Sequence, residues 1–426
     1  MKLHSETYDS YKNAEGEWSE TIPSEWQEKR VKDLFRLVTD AAPADNDYEL
    51  LSLYAGIGVK PRKDLEARGN KASTTDGYWI VRKNDIVVNK LLAWMGSVGL
   101  SEYDGVTSPA YDVLRQVKPD IDPRYFAYLF RTETAKKIFR KNSRGIMDMR
   151  LRLYFEKLGA ITVPFPRYST QQAVADYIEI KTTNIDKKIK LLKRKENKYI
   201  ELRQSLITEI AFRGLDRDAP MKKSDIEWVG DIPTHWEVKR VKEIFEISRG
   251  RVIAKTELQD DGEYPVYSSQ TKGDGCFGYI ATFDYEGDYL TWTTDGVHAG
   301  SIFLRKGRFN CTNICGILKL KNKTFHIGYL YYVLHVCAKH NKRIDTNGAK
   351  IMSNEMMFIK IALPPSKEQK EIFIYLNSQT EKIDNLVSNI RKQIEILLQL
   401  RVAIINDAVT GKINVVDKEI NEEQVA

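Results

Sequence analysis

The stretch Trp18-Ser19-Glu20-Thr21-Ile22-Pro23-Ser24-Glu25-Trp26-Gln27-Glu28-Lys29-Arg30-Val31-Lys32-Asp33-Leu34-Phe35 occurs a second time. It recurs as Trp228-Val229-Gly230-Asp231-Ile232-Pro233-Thr234-His235-Trp236-Glu237-Val238-Lys239-Arg240-Val241-Lys242-Glu243-Ile244-Phe245. Two tryptophans, Ile-Pro, Lys-Arg-Val-Lys and a phenylalanine all hold one offset of 210 residues, a match that chance does not supply. A repeat of this kind decides the architecture before any local motif does.

A second repeat follows each copy at an offset of 198. Proline-rich segments, Val163 to Pro166 and Leu363 to Pro365, lead to Gln171 and Gln369 and then to long helical patterns. In the first, Ile185, Ile189, Leu192, Tyr199, Leu206 and Ile210 recur at 4-3 spacing. Ile383, Val387, Ile390, Ile394, Leu397, Ile404 and Ala408 take the matching places in the second. Arg203 and Arg401 interrupt both patterns at one point, and Glu196 stands where the second copy has Ile394. A 3.5-residue period predicts two supercoiled helices, each about 40 residues and roughly 60 Å long. Gly214 and Gly411 are their stop signals. Because a whole domain separates the helices in sequence, they should pair antiparallel, with a globular head at each end and pseudo-twofold symmetry.

The intervening stretches differ in sequence. Residues 77–88, 288–294 and 316–320 read as strands, and 124–131 and 327–334 as helices that follow them. The expected fold class is therefore α+β, two globular domains separated by two long antiparallel α-helices forming a coiled coil. The expected boundaries are an N-terminal extension (1–18), a first head (19–165), a first long-helix region (166–217), a linker (218–228), a second head (229–364), a second long-helix region (365–413) and a tail (414–426). The helix-pair core is Ile185, Ile189, Leu192, Ile383, Val387, Ile390 and Ile394.

Composition excludes several classes. Over 426 residues, 42% hydrophobic and 29% charged side chains describe an ordinary globular protein rather than a disordered or collagen-like chain. Four cysteines (Cys276, Cys311, Cys315, Cys337) are too few for a secreted disulfide framework, and no long apolar run follows the N-terminus. A cytoplasmic protein without membrane contact is expected. Cys311 and Cys315 lack a second ligand pair, so they read as buried thiols and no metal is expected. His335, Cys337 and His340 share no helix face and read as packing or surface residues.

The net charge of +7 is mild, but its distribution is uneven. Residues 1–50 carry twelve acidic and six basic side chains; residues 131–152 carry eight basic and two acidic ones. That basic run includes Lys141, Arg144 and Arg150 and is broken by Asn142 and Gly145. A counterpart in the second head comprises Lys339, Lys342, Arg343, Asn347, Gly348 and Lys350. Paired basic loops suit phosphate contact better than solvated helix faces. Reading base edges needs amide, hydroxyl and guanidinium groups on loops. Ser268, Ser269, Gln270, Thr271, Lys272, Thr294 and Asn313 supply them in the second head, and Lys60, Arg62, Lys63, Lys90 and Trp94 in the first. The region 181–217 adds eleven basic against five acidic residues. The Trp/Ile-Pro/Trp motifs read as clasps between head and helices.

In this order of parts the chain resembles the specificity subunit of type I restriction-modification systems. Leu51 to Gly58, Trp94 to Gly99 and Ser108 to Asp112 look like one kind of recognition domain of that family. Pro265 to Thr271, Thr291 to Gly296 and Asn310 to Cys315 look like another. The resemblance implies a non-catalytic subunit that reads a bipartite asymmetric site in double-stranded DNA, one half per domain. The helices would set the spacer and dock two methyltransferase subunits. S-adenosylmethionine, ATP and magnesium would belong to partner subunits, including two ATP-dependent restriction subunits where the system has them, and this chain would hold no cofactor.

The residues themselves argue against catalysis here. The one Pro-Pro, Pro364-Pro365, lies between Leu363 and Ser366 and lacks the Asn/Asp and aromatic neighbours of a methyltransferase motif. Tyr54 to Gly58 is only loosely like a cofactor loop, and no Gly-x4-Gly-Lys-Ser/Thr loop occurs. Asp120 with Glu179 and Lys181 makes a poor nuclease set, since Glu179 begins a long helix. The rival reading is a coiled-coil scaffold or adaptor with two protein-binding heads, which would not require matching basic loops.

Overall fold

The computed structural model describes residues 7–54, 58–64, 74–146, 150–346 and 348–415. Two long helices run over Tyr168–Arg213 and Ser366–Val409, 46 and 44 residues. Each terminates at the anticipated glycine in left-handed backbone, Gly214 at φ 77° and Gly411 at φ 73°. The chain forms two compact units. One holds the residues up to Leu192 together with those from Lys392 onward, and the other is Lys193–Arg391. Each unit is thus one head plus part of both long helices.

The first unit is built on a four-stranded antiparallel sheet in the order Phe35–Leu37, Tyr111–Gln116, Ile86–Asn89, Val98–Leu100. Its core joins Phe35, Ile86 and Leu114 of the sheet to Phe126, Phe130 and Phe139 of the following helices, Pro123–Leu129 and Glu133–Asn142. Val174 and Ile178 of the first long helix and Ala408 and Val409 of the second complete it. A hairpin, Leu51–Tyr54 with Gly58–Pro61, and an antiparallel strand pair, Trp79–Val81 with Gly105–Thr107, cover the sheet's other face through Leu51, Leu53, Val59 and Val81.

The second unit repeats that order as Phe245–Arg249, Cys315–Leu320, Tyr289–Thr293, Ile302–Arg305. The helix Ile327–Asn341 packs behind it, with Ile207, Ala211 and Phe212 from the first long helix and Ile372 and Leu376 from the second. Among the described residues a further four-stranded sheet, Cys276–Ile280, Tyr264–Tyr267, Arg308–Cys311, Tyr285–Glu286, occurs in this head alone. Two heads of dissimilar sequence therefore share one sheet order.

Polar contacts repeat as faithfully. Gln171 accepts from the Asp122 N–H at 2.9 Å and donates to Pro166 O at 2.8 Å; Gln369 does the same with His326 and Pro364, both at 2.8 Å. Tyr125 donates to Val409 O at 2.8 Å, and Tyr329 to Ala211 O at 3.1 Å. These buried amides and phenols tie the start of one helix and the end of the other to each head, because an unpaired polar group there would be costly. The clasp residues sit at the same joints. Trp26 and Trp236 are buried, and they lie where a Cβ on Gly411 or Gly214 would meet their rings, at 3.1 and 3.3 Å.

Within the second unit Arg391 pairs with Glu196 at 2.7 Å and Arg203 with Asp384 at 2.9 Å, so the helices run antiparallel. Within the first, Arg401 meets Asp186 at 3.3 Å. Ile185, Ile189, Ile383, Val387 and Ile390 are buried, while Leu192 and Ile394 are half-buried. The four cysteines are unpaired, and Cys311, Cys315 and Cys337 are buried. Among the described residues no helix is long and apolar enough to cross a membrane.

Candidate nucleic-acid interface

In each head the basic loop closes against the end of a central strand. After Glu133–Asn142 the chain doubles back, with Arg144 N–H to Arg152 O at 3.0 Å and Arg152 N–H to Arg144 O at 2.9 Å. The next residue, Leu153, donates its N–H to Lys90 O at 2.9 Å. In the second head Arg343–Asp345 pairs with Gly348–Lys350, and Ile351 N–H reaches Thr294 O at 2.8 Å. Lys90 and Thr294 each follow the corresponding strand, so the hairpins occupy equivalent places.

The second head gathers most of its candidates on this rim. Ser268 Oγ and Thr312 Oγ1 are 3.3 Å apart, Asn313 is exposed between them and the strand end, and its carbonyl accepts from Arg249 at 2.7 Å. Thr271 is exposed, Ser269 half-buried, and Lys272 lies in the turn Lys272–Gly275. Gln270 turns its amide inward onto Cys276 O. Thr294 is fully buried and donates its hydroxyl to Ile314 O at 3.0 Å, so it holds the loop rather than facing solvent. Arg343 pairs with Glu355 at 2.6 Å, and Lys350 forms a backbone β-bridge with Asp295.

The loop from Ser268 to Cys276 has a support that sequence reasoning missed. Arg305 is 2% exposed, with its guanidinium 3.6 Å from the Tyr267 ring and 4.4 Å from Phe303, and it pairs with Asp274 at 2.7 Å. Gly273, Asp274 and Gly275 are all left-handed, at φ 57°, 55° and 78°. The buried cation thus anchors a turn that two glycines permit.

The first head divides its candidates. Lys90 donates to Pro109 O at 2.8 Å and pairs with Asp112 at 3.3 Å, while burial pushes the Asp112 carboxyl up. Trp94 lies beside it, 5.1 Å under the Arg140 guanidinium. Arg144 and Arg150 are exposed on the same hairpin, and Lys141 pairs with Glu17 at 2.7 Å. Lys60, Arg62 and Lys63 instead lie on and after the strand Gly58–Pro61. Lys60 bonds Glu102 at 3.0 Å and Tyr103 at 3.3 Å, which raises its pKa; Lys63 pairs with Glu49. Glu102 lies beyond the opposite end of the strand pair from Lys90, so these three do not join the hairpin. Residues 55–57 of the Leu51 to Gly58 stretch and Asn347 lie outside the described residues.

Two heads of one sheet order, each carrying a basic hairpin at the end of the equivalent strand and each tied to both long helices, make up the chain. The family model for the type I restriction modification DNA specificity domain matches residues 23–202 and 233–396, and the chain belongs to that family. It is a DNA sequence-recognition subunit of a type I restriction-modification system. A Mycoplasma pneumoniae protein named as a type I specificity subunit is 31% identical over 244 residues, 57% of this chain and 84% of its own length. The MpnII type I restriction enzyme specificity subunit of that organism is 35% identical over 181 residues, 42% of this chain and 54% of its own. Among solved structures, a chain from a study of type I system assembly superposes with TM-score 0.72 at 16% identity, covering 92% of this chain and 99% of that one. The HsdS subunit of Thermoanaerobacter tengcongensis gives 0.53 at 15% identity, covering 92% and 98%.

Proposed function

We propose that the two heads, residues 19–165 and 229–364, each read one half of a split, asymmetric DNA site. The helices hold the half-sites at a set spacing and dock two methyltransferase subunits, and the chain itself performs no chemistry. One observation carries this reading: equivalent sheets present equivalent basic hairpins, Arg144 to Arg152 and Arg343 to Lys350, but different reading loops. Phosphate contacts of one kind with base contacts of two kinds suit two unlike half-sites. ATP-dependent restriction subunits would join through the methyltransferases where the host makes them.

Mapping of methylated bases across a genome, with and without this chain, yields both half-sites and the spacer. Exchanging residues 229–364 for those of another family member should then change one half-site and leave the other. A change in both halves would refute independent reading. Affinity for DNA should fall steeply between low and physiological salt, as an adaptor with protein-binding heads would not require.

A further inference from the structure

Three large aliphatic side chains stand out by exposure among the described residues: Ile146 at 97%, Val297 at 90% and Ile344 at 83%. All three lie on the rims just described. Ile146 lies two residues after Arg144, and Ile344 adjoins Arg343 on its hairpin. Val297 is on the loop that the second hairpin joins through the Asp295 to Lys350 bridge.

Ile146 and Ile344 also correspond in sequence register, although the first hairpin holds one residue more between its paired cations. Each precedes by seven residues the one whose N–H closes the hairpin, Leu153 on Lys90 O and Ile351 on Thr294 O. Their offset is 198, that of the repeated helices, although the heads around them differ in sequence. A residue that recurs while the reading loops diverge serves a task common to both half-sites, and that task is independent of the bases read.

We propose that Ile146 and Ile344 are apolar wedges that enter the base stack of bound duplex DNA, one at each half-site. Flanking cations, Arg144 and Arg152 in one head and Arg343 and Lys350 in the other, hold the backbone on either side of the opened step. Aliphatic side chains inserted in this way unstack a base step and kink the duplex by on the order of 20–90°. A neighbouring base is thereby easier to turn out of the helix for modification. A protein-docking role would not require basic residues on both arms of the hairpin in each head. This inference rests on the proposed placement of DNA against the two hairpins.

The test uses the full chain assembled with its methyltransferase subunits and a duplex carrying the mapped site, end-labelled for energy transfer. A second duplex carries 2-aminopurine at each step near the half-sites. The parent complex should bend the duplex and brighten one 2-aminopurine per half-site. Ile146→Ala should abolish brightening at the half-site of the first head only, Ile344→Ala at the other only. The double variant should lose the bend and bind several-fold more weakly, with the methylated sequence and the salt slope unchanged. Ile→Met at either place should restore the signal. Arg152→Ala and Lys350→Ala check the DNA placement separately by lowering the salt slope. If these lower it while both alanine variants keep bend and brightening, the wedge is refuted and the placement stands; if neither set changes anything, both fall. Weakened methyltransferase assembly with an unchanged bend would also overturn the wedge.

Discussion

Arg203 of the first long helix lies 2.9 Å from Asp384 of the second, and the relationship recurs with the roles exchanged as Arg401 and Asp186 at 3.3 Å. In these pairs, and in Glu196 with Arg391, the two residue numbers add to 587, so one antiparallel register serves both units. Asp384 and Asp186 are more than half exposed, so each pair contributes at most about 1 kcal/mol. The pairs act mainly to select register, as seam charges do in coiled coils. A double-mutant cycle on Arg203→Ala and Asp384→Ala should give a coupling energy of about 0.2–1 kcal/mol in urea unfolding. Ile189→Ala, a buried aliphatic truncation, should cost about 2–5 kcal/mol. A coupling energy as large as the isoleucine effect would make the ion pair a stability element instead.

The clasps are alike in packing and unlike in hydrogen bonding. Trp236 donates its indole N–H to Glu368 at 3.1 Å, and His235 reaches the same carboxylate at 2.8 Å. Trp26 is as deeply buried, yet its N–H has no acceptor among the described residues. Thr170 occupies the place equivalent to Glu368. Either tryptophan truncated to alanine should cost about 3–5 kcal/mol by thermal or urea unfolding, with the recognised sequence unchanged. The phenylalanine variants separate the two sites. Trp236→Phe should cost about 1.5–3 kcal/mol more than Trp26→Phe, since only it breaks a hydrogen bond to a charged group. A shifted methylation site in either variant would sink the clasp reading.

These elements were legible in the sequence because identical residues at constant offset mark identical surroundings. Gln171 and Gln369 keep equivalent partners at an offset of 198, and Trp26 and Trp236 keep equivalent burial at 210. The common sheet order of the heads was not legible. Backbone pairing accepts any suitable apolar alternation, so Val87 and Thr291 fill equivalent strands without resembling each other. Tyr125 and Tyr329 hold an offset of 204, between the 210 and 198 of the repeats, and so escaped notice. Arg305 was hidden for another reason. An arginine on a strand reads as a solvent-facing residue until Tyr267 and Phe303 are seen to enclose it.

His335 supplies a pH dependence. It stands at the offset of 204 from Arg131 and is packed near Arg203, Lys339 and Tyr331. Its Nδ1 is buried without a partner among the described residues, and burial, then Lys339 and Arg203, pushes its pKa down to about 4. The folded state therefore binds this proton less readily than the unfolded chain, whose imidazole titrates near 6.5. The contribution is complete above about pH 6.5 and is lost as pH falls toward 4, on the order of 3 kcal/mol at most. Urea midpoints at pH 7 and pH 5 should differ for the parent protein, and His335→Gln should narrow the gap. An equal decline in both would place the acid sensitivity elsewhere.

Arg305 provides the most specific test of how the second head reads DNA. Its charge is enclosed by two aromatic faces, and its outward nitrogen ends on Asp274, which is 73% exposed. The turn it holds also accepts the Ser268 N–H at Gly275 O, at 3.0 Å. Arg305→Leu removes a desolvated cation–π contact and should cost about 2 kcal/mol. It should also free the segment from Ser268 to Cys276. Base preference read by that segment should then relax, at about 1–3 kcal/mol for each base no longer discriminated. Arg305→Lys keeps the charge but not the flat group that fits between Tyr267 and Phe303, so it should restore little. Affinity for the cognate duplex over single mismatches, measured in each half-site, distinguishes the outcomes. Relaxation confined to the half-site of the second head supports the role, and equal relaxation in both would show that Arg305 acts on the fold as a whole.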